Sequence, residues 1–426
     1  MTRGDRQYNA CLNVLKHEMI LAAGCTEPVA IALATAKAKA VLGAMPERIR
    51  MRVSENVLKN AKSVIVPNTN AMKGIRVAAA AGAVIGDPAK DLEILGTVDD
   101  DDRDAIVEYL KKTQIVVSPI DSEYVFDVEA TVYHGEEHAR VRLINAHTNI
   151  ALIEKNGVVQ MAKDYAYDEV PDDADKKTLT VERIVAFADA LVIDDVKALF
   201  DRQIETNMAI AEEGLTEDFG ATIGKIILTT EKGDVKNIAK GYAAAASDAR
   251  MGGSKKPVTI VSGSGNQGIT ASVPLIVYAR EKNIDQERLY RALAVSNLIS
   301  IHQKTGVGAL SAYCGAVFAG AAAGAGIAYM EDGSFEAVAH TLVNALAIVS
   351  GMVCDGAKAS CAAKIASSVD AGIFGFRMHQ QHREFLGGEG LVAKGVENTI
   401  ANIKRLAREG MCLTDKEIIR IMSEEV

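Results

Sequence analysis

The stretch Cys314-Gly-Ala-Val-Phe-Ala-Gly-Ala-Ala-Ala-Gly-Ala-Gly-Ile-Ala-Tyr-Met330 decides how this chain is read. It is apolar, uncharged and built from small residues, yet shorter than the roughly 20 residues a membrane-spanning helix needs. It therefore reads as a central helix buried inside a globular protein, its alanines and glycines permitting close approach by neighbouring helices. Around it the texture is helical. The periodicity predicts helices over Val181–Leu191, Ile193–Glu213, Gly233–Met251, Asp285–Ile301, Phe335–Val353 and Val392–Arg408. The N-terminal segment reads as two helices broken at Gly24-Cys25-Thr26-Glu27-Pro28. Thr26 is placed to cap the second, Val29–Val41.

Between these regions the pattern changes to period two. Arg50–Val53, Lys62–Val66, Tyr124–Tyr133 and His138–Ile144 read as strands. Asn149–Glu154 and Val158–Met161 form a hairpin about Asn156-Gly157. The acidic segment Asp168–Asp175, with Pro171, reads as an exposed linker. The expectation is an α+β protein: a mainly helical catalytic domain from residues 1–46 and 176–426, and a smaller α+β domain with an antiparallel sheet from 47–175.

Bulk properties narrow the function. The 426 residues carry 47 basic and 56 acidic side chains, a net charge of −9, and no tryptophan. No basic cluster offsets that balance, so no nucleic-acid partner is expected. No segment suits a membrane, and the N-terminus lacks the apolar core of an export signal, so a cytoplasmic location is expected. Six cysteines in so long a chain are sparse for a disulfide scaffold, which leaves free thiols for chemistry or metal binding.

Three of those cysteines lie among small residues: Cys314 at the head of the central run, and the pair framing Cys354-Asp-Gly-Ala-Lys-Ala-Ser-Cys361. Three thiolates would leave one corner of a four-iron cubane open to substrate. On one continuous helix Cys354 and Cys361 would stand about 10 Å apart along the axis, so a helix end or kink at Asp355-Gly356 is required. The spacing alone leaves cluster ligands and small core residues as alternatives. Cys25 stands before a helix start, where the dipole favours a thiolate. It reads as a nucleophile, a proton-abstracting base, a fourth ligand or a buried thiol at a turn. Cys11 and Cys412 read as structural. Ser262-Gly263-Ser264-Gly265-Asn266-Gln267-Gly268 follows an apolar stretch and precedes a helix, a setting for a small carboxylate. Without a following lysine in Walker position, it does not read as a nucleotide loop. Asn60, close to Ser54, Asn56 and Lys59, and Lys304, close to His302, are further candidates for carboxylate contacts.

These segments together resemble the L-cysteine desulfidase family, relatives of the iron–sulfur L-serine dehydratases. The resemblance is carried by Gly24-Cys25-Thr26-Glu27-Pro28, Lys59-Asn60 with Val64-Ile-Val-Pro67, and Ser262-Gly-Ser-Gly-Asn266. It continues through His302-Gln-Lys304-Thr-Gly306 with Cys314-Gly315, and Cys354-Asp-Gly-Ala-Lys358 with Cys361. It implies a [4Fe–4S] cluster on Cys314, Cys354 and Cys361, Cys25 as proton acceptor, and a small amino-acid substrate. Substrate contacts would come from Asn60, Ser262, Ser264, Asn266 and Lys304. The implied reaction is β-elimination of L-cysteine to hydrogen sulfide, ammonia and pyruvate. The alternatives are L-serine or another small amino or hydroxy acid as substrate, or a non-catalytic redox or iron-sensing protein. Gln267 stands where the resemblance leads one to expect histidine, which marks it for substrate specificity. A homo-oligomer is left open.

Overall fold

The computed structural model describes residues 1–424 apart from 63, 97, 167–173, 232 and 309. Most of the expected linker, residues 168–175, thus lies outside the described residues. The chain is mostly helical with one mixed six-stranded sheet and a two-stranded ribbon, an α+β architecture. The N-terminal half carries α1 (Arg6–Glu18), β1 (Leu21–Ala23), α2 (Thr26–Leu42), β2 (Arg48–Val53), α3 (Glu55–Ala61), α4 (Ile75–Ile85) and α5 (Asp100–Lys112). Then come β3 (Gln114–Pro119), β4 (Asp127–His134), β5 (Glu137–Ile144), β6 (Ile150–Lys155) and β7 (Val158–Ala162). The second half is helical except for β8 (Pro257–Thr259), which pairs antiparallel with β1. Its helices are α6 (Val181–Ala190), α7 (Lys197–Thr216), α8 (Ile223–Thr230), α9 (Val235–Met251), α10 (Gly265–Lys282) and α11 (Gln286–Lys304). They continue with α12 (Gly315–Glu331), α13 (Phe335–Val349), α14 (Ser360–Gln380), α15 (Val396–Arg405) and α16 (Cys412–Glu424).

The sheet runs β3-β2-β4-β5-β6-β7. It is antiparallel, as expected, except for the β2–β3 edge, which is parallel. Strands β2 and β3 are joined through α3, α4 and α5, the long crossover that a parallel pair requires and a hairpin cannot supply. The strand expected at Lys62–Val66 does not form. Lys62 caps α3, and Ile65 makes only an isolated bridge to Lys73. The place beside β2 is already taken by β3, so that segment has no ladder to join. α2 starts three residues earlier than expected, at Thr26, with Cys25 as its N-cap. It packs against α4 and the faces of β4 and β5, which explains its largely apolar, alanine-rich sequence.

The central run is indeed a buried helix, α12, packed among α10, α11, α13 and α14. Its contact with α14 is backbone to backbone. A Cβ on Gly324 would lie 2.3 Å from the Gly372 carbonyl oxygen, and one on Gly320 2.5 Å from Ser368. Residue 320 meets 368 and residue 324 meets 372, so the two helices run in the same direction. Their N-terminal ends therefore lie side by side. One of those ends carries Cys314 and the other Cys361.

Candidate active site

Four helix N-termini converge on one cavity of about 120 Å³. α2 contributes Cys25, Thr26 and Glu27; α10 contributes Ser264, Asn266 and Gln267; α12 begins beside Cys314; α14 opens with Cys361 in its first turn. All nine residues singled out in the sequence line this cavity: Cys25, Asn60, Ser262, Ser264, Asn266, Lys304, Cys314, Cys354 and Cys361. Helix N-termini carry partial positive charge and unbonded N–H groups, so the arrangement favours anionic guests.

Local structure places each group. After α13 ends at Val349 the chain turns, and Val353 bridges Tyr313 in antiparallel fashion. The Cys314 N–H donates to Met352 O at 3.1 Å and the Cys354 N–H to Ala312 O at 2.6 Å, which sets the two cysteines next to each other. Gly356, at φ +95°, then redirects the chain so that Cys361 returns from the start of α14. A Cβ there would also stand 2.9 Å from Lys59 O. The break required at Asp355-Gly356 is thus present.

Burial and neighbouring thiols act on Cys314 and Cys361. Burial pushes Cys314 up to about 12, with the charges of Cys354 and Cys361 adding to it. Cys361 is raised chiefly by burial and then by Cys354. Among the described residues no group of three or more histidine, cysteine, aspartate or glutamate side chains is gathered as a single metal ion would require. A cubane is larger, and its thiolates bind separate irons. Three thiols on one cavity wall, under two helix N-termini and with Lys364 beside them, suit that group by donor type and charge.

Cys25 lies in different company. Its Sγ–H donates to Glu27 Oε2 at 3.1 Å inside the protein. Its thiol is pushed well up by burial first and then by the Glu27 charge, with Arg250 opposing. The helix start does not prevail over desolvation here, so the resting group is a thiol and not the thiolate expected from position alone. Thr26 does not cap α2; its hydroxyl donates to Gly263 O at 3.1 Å and ties α2 to the serine–glycine loop. Arg250 Nη2 donates to Gly24 O at 2.8 Å and fixes the turn before Cys25. In the loop, Ser262 adopts φ +51°, a left-handed conformation uncommon for a residue with a side chain. Ser264 caps α10 by accepting from the Gln267 N–H at 3.4 Å.

Among the described residues lining this cavity, five have a buried polar atom with no protein partner: Asn60 Oδ1, His147 Nε2, Arg250 Nε, Gln267 Oε1 and Tyr313 Oη. Buried polar groups are ordinarily satisfied, so their coincidence here is the signature of a polar guest. His147 is held neutral by burial, with its Glu27 and Arg250 neighbours acting in opposite directions. It reaches the site from the turn between β5 and β6. No sequence motif marks His147 or Arg250, whose places on the cavity wall appear only when separate segments meet. Conversely, His302 faces Glu397, with 2.8 Å between Nε2 and Oε2, and Lys59 is committed to Asp415 at 2.5 Å; neither lines the cavity. A wider cavity of about 370 Å³ adjoins and shares His147, Ser262, Gly263 and Lys304 with the first.

This is a thiol-rich site framed by four helix N-termini. Residues 89–420 match the family described as Serine dehydratase alpha chain. The chain is 51% identical over 422 residues to a UPF0597 protein of Desulfitobacterium hafniense, spanning 99% of this chain and 98% of that one. It is 44% identical over 420 residues to a UPF0597 protein of Lachnoclostridium phytofermentans, spanning 97% and 99%. A UPF0597 protein of Treponema denticola is 43% identical over 431 residues, with all of both chains covered. The chain belongs to the UPF0597 family and carries a serine dehydratase alpha chain domain, which indicates lyase-type chemistry of the amino-acid dehydratase kind. Among the described residues no helix is long and apolar enough to cross a membrane.

Proposed function

We propose that the protein is an iron–sulfur-dependent carbon–sulfur lyase that eliminates hydrogen sulfide from L-cysteine, leaving ammonia and pyruvate. The observation that carries this reading is one cavity lined by three neighbouring thiols, a separate fourth thiol, and five orphaned buried polar atoms. We assign Cys314, Cys354 and Cys361 as ligands of a [4Fe–4S] cluster, which when bound supplies a Lewis acid for the departing group. The sulfur of a cysteine substrate is the softer partner for iron, which favours L-cysteine.

The chain's own residues do the rest. The substrate carboxylate is received by the N-terminal end of α10, with Ser262, Ser264, Asn266 and Lys304 around it. The Asn60 and Gln267 side-chain oxygens are free to accept from the substrate ammonium. Cys25, in its thiolate form, takes the α-proton. Tight packing of α12 on α14 and the loop tied to Thr26 hold the walls of the site in place. Residues 1–46 with 176–426, and 47–175, form in this reading a catalytic domain and a smaller one. The smaller domain lends Asn60 and His147 to the site.

A second reading, dehydration of L-serine, is favoured by the family description, Serine dehydratase alpha chain. The two separate in one experiment. The protein is reconstituted anaerobically with iron and sulfide, its bound iron and acid-labile sulfide are measured, and pyruvate release is followed from each amino acid. Faster pyruvate release from L-cysteine at equal concentration supports the first reading. Release from L-serine alone replaces it with the second. Absence of bound iron under these conditions removes both.

A further inference from the structure

We propose that Glu27 is the residue that takes the proton from Cys25 and so generates the thiolate within the buried site. This rests on the reading of Cys25 as the α-proton acceptor. Glu27 receives its proton from Cys25 and passes it to the departing group, which makes it a catalytic acid–base residue.

The geometry comes from one helix turn. Cys25 is the N-cap of α2 and Glu27 lies two residues on, with Sγ 3.1 Å from Oε2. The same carboxylate is held from another side, by Asn60 Nδ2, which arrives from α3 and stands 3.5 Å from Oε1. Glu27 is therefore oriented at both oxygens and buried, being 9% exposed. The charged and titratable groups facing the pair are Arg250 from α9, His147 from the β5–β6 turn and Lys304 from the end of α11.

Charge counting assigns the role. If the Cys25 proton left for bulk solvent, two negative charges would stand 3.1 Å apart in a site withdrawn from water, the least favourable arrangement open to them. If the proton passes along the existing hydrogen bond to Glu27, the pair keeps a single negative charge throughout. The burial that pushes the thiol up does not oppose this transfer in the same way, because no new ion is created.

The proton inventory closes. The Cys25 S–H bond breaks and a Glu27 O–H bond forms. The substrate Cα–H bond then breaks, its proton joining the Cys25 thiolate while the electron pair forms the Cα–Cβ double bond and the Cβ–S bond breaks. The departing hydrosulfide takes the proton from Glu27 and leaves as hydrogen sulfide. Cys25 is again a thiol, Glu27 again a carboxylate, and nothing is oxidised or reduced.

The test compares wild type, Glu27→Gln, Glu27→Asp and Cys25→Ala. In reconstituted enzyme, Glu27→Gln should lower kcat at pH 7 by about 10²-fold or more with KM changed far less. Its log kcat should climb with slope near one as pH rises, because the thiol must now ionise without a local acceptor. Glu27→Asp should recover part of the loss at pH 7. In cluster-free protein, iodoacetamide labelling of Cys25 followed by peptide mass spectrometry gives a readout independent of turnover. Its pH midpoint should fall in Glu27→Gln, since the neighbouring negative charge is gone. A Glu27→Gln enzyme with wild-type kcat at pH 7, a loss equal at every pH, or an unmoved labelling midpoint would each overturn the proposal. Full turnover by Cys25→Ala would instead remove the underlying base assignment, whatever Glu27 does.

Discussion

Buried thiols at helix starts differ in what surrounds them, and that difference separates the roles assigned to Cys25 and to the trio. Cys314 senses Cys354 and Cys361, and Cys361 senses Cys354, whereas Cys25 senses Glu27 and Arg250. Replacing Cys25 by Ala should leave iron content near wild type and abolish pyruvate formation, as read by a ferrozine assay beside a lactate dehydrogenase-coupled assay. Replacing Cys354 or Cys361 by Ala should lose iron first and activity with it. Acidity bears on the trio directly. Cys314 is pushed up to about 12 and Cys361 is raised, so both are protonated at neutral pH in the cluster-free chain. Cluster assembly must release those protons and should accelerate as pH rises from 7 to 9, measured by the rate at which visible absorbance appears during anaerobic reconstitution. A rate that falls over that interval would contradict the sign of both shifts.

Helix packing is what gathers these residues. The parallel crossing of α12 on α14 depends on Gly320, Gly324 and Gly372 meeting backbone to backbone. Gly372→Val would force the helices apart, costing about 1–3 kcal/mol, and would separate Cys314 from Cys361. Denaturant unfolding should register the first effect and reduced iron uptake the second. At the other edge of the site, Lys59 on α3 is fully withdrawn from water and pairs with Asp415 on α16 at 2.5 Å; it also lies 3.4 Å from Cys354 O. Asp415→Ala would leave a buried ammonium uncompensated and should destabilise the fold by about 3–5 kcal/mol, visible as a lower denaturation midpoint. The expected helices over Val181–Leu191, Gly233–Met251 and Asp285–Ile301 correspond closely to α6, α9 and α11, because their amphipathic patterns or caps lie within the segment itself. The Lys62–Val66 strand failed because strand pairing needs a vacancy beside a neighbour, and no local pattern reports whether that place is filled.

For the molecule as a whole, alkaline pH should act through its buried thiols. Cys11, inside α1 against the core, is pushed up to about 12 by burial, while the unfolded chain ionises near the ordinary cysteine value. A raised folded value means the stability is intact below the unfolded pKa and declines as pH climbs towards the folded one. By pH 10 the loss from Cys11 alone should be about 2 kcal/mol. In Cys11→Ala, less stable at every pH because of the lost side chain, the decline between pH 8.5 and 10 should be shallower by that amount in urea titrations. The segments that line the candidate site were legible in the sequence: a thiol ahead of a helix with proline in its first turn, a serine–glycine loop before another, and two cysteines around an aspartate–glycine break. Those are local signals, set by backbone preference and side-chain chemistry within a few residues. The meeting of four helix N-termini, the entry of His147 from the sheet and of Arg250 from α9, and the choice of a thiol over a thiolate at Cys25 belong to tertiary structure alone. They depend on which distant surfaces exclude water from one another, and desolvation and long-range contact leave no periodic trace in the order of residues.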